Sequence, residues 1–262
     1  MVERRPWVTW SYAVACVLVS WLVTGFFPTD ATLEPVAWSR EAWDEGAWER
    51  LVFATFAHAG LFHLVFNLLT LVALGAVVEP HIGSVRYGAL LLVAGVVGNL
   101  AHATFYATPV VGASGAIFGI IGVLLALFPS ERVVVILFRV PVAIAAAFYA
   151  AAVFLVPSFT AAAPIAHAAH LGGLGAGALL AAGFDPRAAV RHAPWVAAIF
   201  LLAFAAVAWM RANDLLRVGT IWRAEGALGV LGFLWIPVAC SIGIGASLAV
   251  LESQGERAEA GA

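Results

Sequence analysis

Charge is what this chain has least of. Only 11% of its 262 residues are Asp, Glu, Lys or Arg, and every basic one is arginine. A soluble domain carries roughly a quarter charged residues, so a water-facing globule is excluded. The hydrophobic residues, 63% of the chain, fall instead in long uncharged runs. Runs of about 20 such residues are what crossing a bilayer requires. Cysteine is scarce too. Cys16 and Cys240 lie far apart in apolar runs, which excludes a disulfide framework and leaves them as small packing residues. A net charge of −2 without a basic cluster excludes nucleic acid as a partner. No His-Glu-x-x-His motif occurs, and no pair of aspartates lies in the apolar runs. Zinc-dependent and aspartyl proteolysis therefore lack their usual sequence marks.

What is present is a polytopic, all-α membrane pattern. Hydropathy places six core spans at 8–27, 61–78, 87–106, 114–128, 133–156 and 168–184. Two further apolar runs follow at 193–210 and 226–251. The first run is too long for a signal-peptide core and is read as a span. This divides the chain into a catalytic membrane domain at 1–190, a two-span extension at 191–252 and a disordered tail at 253–262. Arginine placement sets the orientation. Arg4, Arg5, Arg86, Arg132, Arg139, Arg187 and Arg191 fall on one side if the spans alternate, and the positive-inside rule puts that side, with the N-terminus, in the cytoplasm. Arg211, Arg217 and Arg223 break the bias. The long first loop, acidic and carrying Trp38, Trp43 and Trp48, is expected at the opposite interface as short amphipathic helices. No repeat suggests a two-half transporter, and no feature specifies an oligomeric state.

Polar side chains in apolar spans cost free energy and so mark function. Ser114 opens the fourth span in Gly112-Ala113-Ser114-Gly115. At a helix start, unpaired N–H groups and the dipole favour a negative charge. The Ser114 amide is then a ready oxyanion donor. That span is short, which would sink its first residue below the membrane surface and leave a wet hollow above it. Serine needs a base within hydrogen-bond reach, and the sixth span supplies His167 and His170. Chemistry alone does not choose between them. Gly173 and Gly177 follow His170 at helical spacing, and Gly115, Gly119 and Gly122 follow Ser114. Two small-residue faces allow close approach, which favours His170. Phe118, one turn below Ser114, is placed to stack on its ring. His63 and Asn67 are one helical turn apart and can both donate hydrogen bonds while neutral, as an oxyanion requires. His58 stands where that helix meets the first loop, to anchor the loop or shape the cavity. Taken singly, Ser114 would bond to its own backbone and His63 with Asn67 would join helices. The company of the three motifs favours catalysis.

These motifs resemble the rhomboid family of intramembrane serine proteases. The family's pattern of histidine, histidine and asparagine matches His58, His63 and Asn67. Its Gly-x-Ser-Gly matches Gly112 to Gly115, and its histidine before a glycine-patterned helix matches His170. The resemblance covers about residues 7 to 184. It implies a six-helix core, with Ser114 as nucleophile, His170 as base, and His63 and Asn67 as oxyanion donors. It also implies transmembrane protein substrates within the lipid, cleavage from the extracytoplasmic side, and no metal or organic cofactor. Glu49 stands beside Arg50 where the family has tryptophan, and Phe118 where it has tyrosine. The alternatives are a metalloprotease with His58, His63 and His170 as zinc ligands, and a non-cleaving helix-binding protein or transporter.

Overall fold

The computed structural model describes residues 5–130, 132–135, 138–141, 144, 166–194, 196–198 and 201. Helix α1 (Trp7–Val19) continues as a π-helical turn, Ser20–Thr24, and stops at Gly25. The first loop holds three short helices, α2 (Asp30–Leu33), α3 (Arg40–Asp44) and α4 (Glu49–Phe53). Two 22-residue helices follow, α5 (Leu61–Ile82) and α6 (Ser84–Phe105), meeting at Gly83. Then come α7 (Ser114–Leu127) and α8 (His167–Phe184).

Three of these elements are long and apolar enough to cross a membrane: Trp7–Thr24, Leu61–Ile82 and Ser84–Phe105. At ~1.5 Å per residue, 22 residues reach ~33 Å and match a hydrocarbon layer of ~30 Å. The chain is an integral membrane protein. By the same rise the 14-residue α7 is only ~21 Å long, and it stands inside the bundle. Every residue from Gly115 to Ala126 is buried, as a helix apolar on all sides requires.

One expectation is corrected. The fold is mainly helical, but an antiparallel hairpin, β1 (Arg132–Val135) with β2 (Phe138–Pro141), stands where a fifth helix was expected from 133. Val133, Val134 and Val135 are β-branched and stiff at χ1. Pro141 would also break a helix begun there and drives Val140 toward extended backbone. Most of the expected 133–156 span beyond the hairpin, and of the 193–210 span, lies outside the described residues. The 226–251 span and the 253–262 tail lie wholly outside them.

Two polar contacts fix how the helices assemble. The Glu79 carboxylate, 1% exposed near the end of α5, accepts from the Val8 and Thr9 amides at 2.9 and 2.8 Å. It also accepts from Thr9 Oγ1 at 2.8 Å and Ser84 Oγ at 2.7 Å. A carboxylate is thereby seated on the positive end of α1, tying that helix to the α5–α6 turn. At the other end of the bundle, Asn99 Nδ2 donates to the Leu51 carbonyl at 2.9 Å and pins α4 to α6. The Trp38, Trp43 and Trp48 rings cluster in the first loop, tilted by 36 to 56° with centroids 5.3 to 5.9 Å apart.

Candidate active site

Ser114 is the first residue of α7, and His170 lies in the first turn of α8. Glycine brings them together. A Cβ on Gly173 would run into the Gly115 carbonyl, and one on Gly177 into that of Gly119. With hydrogens there instead, the two backbones touch, the close approach that small residues permit. One turn from these crossings, His170 Nε2 lies 2.9 Å from Ser114 Oγ. The Phe118 ring is stacked on the imidazole at 4.4 Å and 11°, which fixes the ring plane. Ser114 is partly exposed and His170 is buried, so the pair sits at the edge of the core.

The segment before Ser114 is braced at four points. His102 Nε2 meets the Thr108 carbonyl at 2.8 Å. Val110 exchanges backbone hydrogen bonds with Trp38, at 2.8 and 3.1 Å. The Gly112 amide donates to the Ala54 carbonyl at 2.8 Å, and the Ala113 amide to His58 Nε2 at 3.5 Å. Gly112 has φ +123°, a region that favours glycine. A Cβ there would meet His63 Cε1 at 2.7 Å, His63 Nε2 at 2.9 Å and Asn67 Nδ2 at 3.5 Å. Both side-chain nitrogens therefore border one small space, two residues before the serine.

The proton on His63 follows from its partners. Its Nδ1 accepts from the Ala59 amide at 3.3 Å, which leaves Nε2 as the N–H of a neutral ring. The buried Nδ2 of Asn67 meets no acceptor among the described residues. Two donors thus converge beside the helix start, where the first amides of α7 have no intrahelical partner. His58 is fully buried in the loop before α5. Desolvation holds its pKa well below the usual imidazole value.

The structure brings together Ser114, His170, Phe118, Gly112, His63 and Asn67, and sets His58 behind them. His167 is buried one turn before His170, and it is His170 that reaches the serine. Among the described residues no group of three or more His, Cys, Asp or Glu is placed to hold a metal ion. Ser20, Asn99 and His102 are not among the candidates read from the sequence. A polar residue in an apolar run was the available signal for all three.

Residues 45–186 match the family model described as the Rhomboid domain, more than half of the chain. The chain belongs to the rhomboid family. It is 43% identical over 88 residues to the rhomboid protease GluP of Bacillus subtilis, covering 34% of this chain and 17% of that one. Over 94 residues it is 36% identical to the putative rhomboid protease YdcA of the same organism, covering 34% and 46%. To RHOMBOID-like protein 2 of Arabidopsis thaliana it is 34% identical over 99 residues, covering 36% and 31%. Each match spans less than half of the relative's own length. The rhomboid match encloses every residue placed in the site above.

Proposed function

We propose that this rhomboid-family chain is an intramembrane serine protease, hydrolysing peptide bonds in or near transmembrane segments of other membrane proteins. The observation that carries the proposal is the 2.9 Å approach of His170 Nε2 to Ser114 Oγ at the start of a buried helix. His170 takes the Ser114 proton as the oxygen attacks the substrate carbonyl. The ring becomes a cation against the face of Phe118, a favourable cation–π placement. Negative charge on the former carbonyl oxygen is held by the Ser114 amide, His63 Nε2–H and Asn67 Nδ2. His170 returns the proton to the leaving amine, and an acyl-enzyme remains. Water, deprotonated by His170 in turn, attacks the ester; the acyl–Oγ bond breaks, His170 returns the proton to Ser114 Oγ, and the acid is freed. This end of the bundle is taken as extracytoplasmic and the N-terminus as cytoplasmic, an orientation that the arginine bias of the sequence supports.

The test is labelling of purified protein by a fluorophosphonate, with and without a metal chelator. The expected result is chelator-resistant labelling of wild type, lost in Ser114→Ala and His170→Ala and kept in His167→Ala. An unlabelled wild type that is folded would overturn the proposal in favour of a non-cleaving helix-binding role.

A further inference from the structure

Helix α1 contributes none of the residues assigned above, yet one polar side chain in the turn that continues it reaches His58 behind the site. Ser20 opens the π-helical turn and is 2% exposed. In this turn Ser20 and Thr24 face inward while Trp21, Leu22 and Val23 face out, at 60, 68 and 52% exposure. Ser20 Oγ lies 3.3 Å from His58 Nδ1, and that nitrogen also meets the Phe56 carbonyl at 3.0 Å. The far side of the same ring faces the Ala113 amide at 3.5 Å. These partners allow one neutral form. Nδ1 carries the proton, shared between the Phe56 carbonyl and the Ser20 oxygen, and Nε2 accepts from Ala113.

We infer that Ser20 is a positioning residue for the oxyanion loop, acting through His58. This rests on the protease reading above. The Ala113 N–H lies in the Gly112–Ala113 peptide, which adjoins the Ala113–Ser114 peptide carrying the Ser114 N–H, and the two are joined at Ala113 with φ −74° and ψ −2°. While His58 holds the Ala113 N–H backward, the first amide turned toward a developing oxyanion is that of Ser114. Ser20 fixes the imidazole from the opposite edge, and the Phe56 carbonyl alone leaves the ring a hinge. The chain of contacts carries the position of α1 to the residue before the nucleophile.

The experiment compares wild type with Ser20→Ala and Ser20→Thr in the full-length purified protein. Cleavage of a single-span substrate gives kcat and KM separately, and thermal unfolding is followed in parallel. Ser20→Ala is expected to lower kcat and the fluorophosphonate labelling rate about tenfold, as loss of one buried hydrogen bond would. KM should stay within about twofold and unfolding should be nearly unchanged. Ser20→Thr, which keeps the hydroxyl, should restore kcat. An unchanged kcat in Ser20→Ala overturns the inference. So does a loss that follows a fall in unfolding temperature and is not restored by threonine. Hydrogen exchange of a peptide spanning 108–117 gives a readout independent of activity. If wild type neither cleaves nor labels, the protease reading fails, and this exchange alone decides the inference. Faster exchange in Ser20→Ala upholds it, and unchanged exchange overturns it.

Discussion

Single residues in this site act through where their protons lie. His63 offers Nε2–H because the Ala59 amide occupies Nδ1, and Asn67 offers a buried donor with no competing acceptor among the described residues. A donor already desolvated and aimed has little reorganisation left to undergo when charge develops. Asn67→Ala should therefore lower kcat by about 10²-fold while KM changes little. Steady-state cleavage of a single-span substrate checks this. An equal loss appearing in KM instead would assign Asn67 to substrate binding. Gly112 belongs to the same scale, since its left-handed backbone and missing Cβ leave room for both donors.

At the scale of elements, the bundle relies on two unlike devices. Between α7 and α8, glycines remove side chains until backbones touch, a packing open to residues that lipid cannot drive together by the hydrophobic effect. Between α1 and α5, a buried carboxylate serves several donors at once. Removing it leaves two amides at a helix start, with no carboxylate to receive them. Glu79→Ala should cost about 2–6 kcal/mol, since each buried donor left unpaired costs ~1–3 kcal/mol. Glu79→Gln, which keeps an acceptor oxygen, should cost less. Thermal unfolding in detergent ranks the three proteins, and equal stability of wild type and Glu79→Ala would show that this carboxylate does not hold α1 to α5. Three of the expected spans coincide with helices long and apolar enough to cross a membrane, and these were legible because apolar length is a local property. The hairpin at Arg132–Pro141 was not, because hydropathy does not distinguish a β-branched run from a membrane helix.

For the molecule as a whole, burying neutral histidine links stability to pH. His58 has its folded pKa depressed by burial, while the unfolded value is ~6.5. Below that value the unfolded chain binds a proton that the folded chain refuses, so stability is full above it and falls as pH drops toward the folded pKa. The slope for one such group is ~1.4 kcal/mol per pH unit. Unfolding temperatures at pH 7.5 and 5.5 should diverge more for wild type than for His58→Gln. An identical divergence would show that His58 contributes nothing to it.

The sequence by itself determined the membrane class and the rhomboid resemblance, and it nominated Ser114 with His170 or His167 as candidates for the proposed dyad. Each is written locally, as an apolar run or as a polar residue set at a fixed step from glycine. Only the tertiary structure decided that His170, not His167, reaches Ser114, because that depends on where two glycine faces cross. It also decided that Ser20 meets His58 and that Asn99 holds the first loop. Such contacts join positions 38 and 48 residues apart, and no local pattern encodes them. Each of these contacts gives a buried polar group a partner in place of water, and that happens only once the chain is folded.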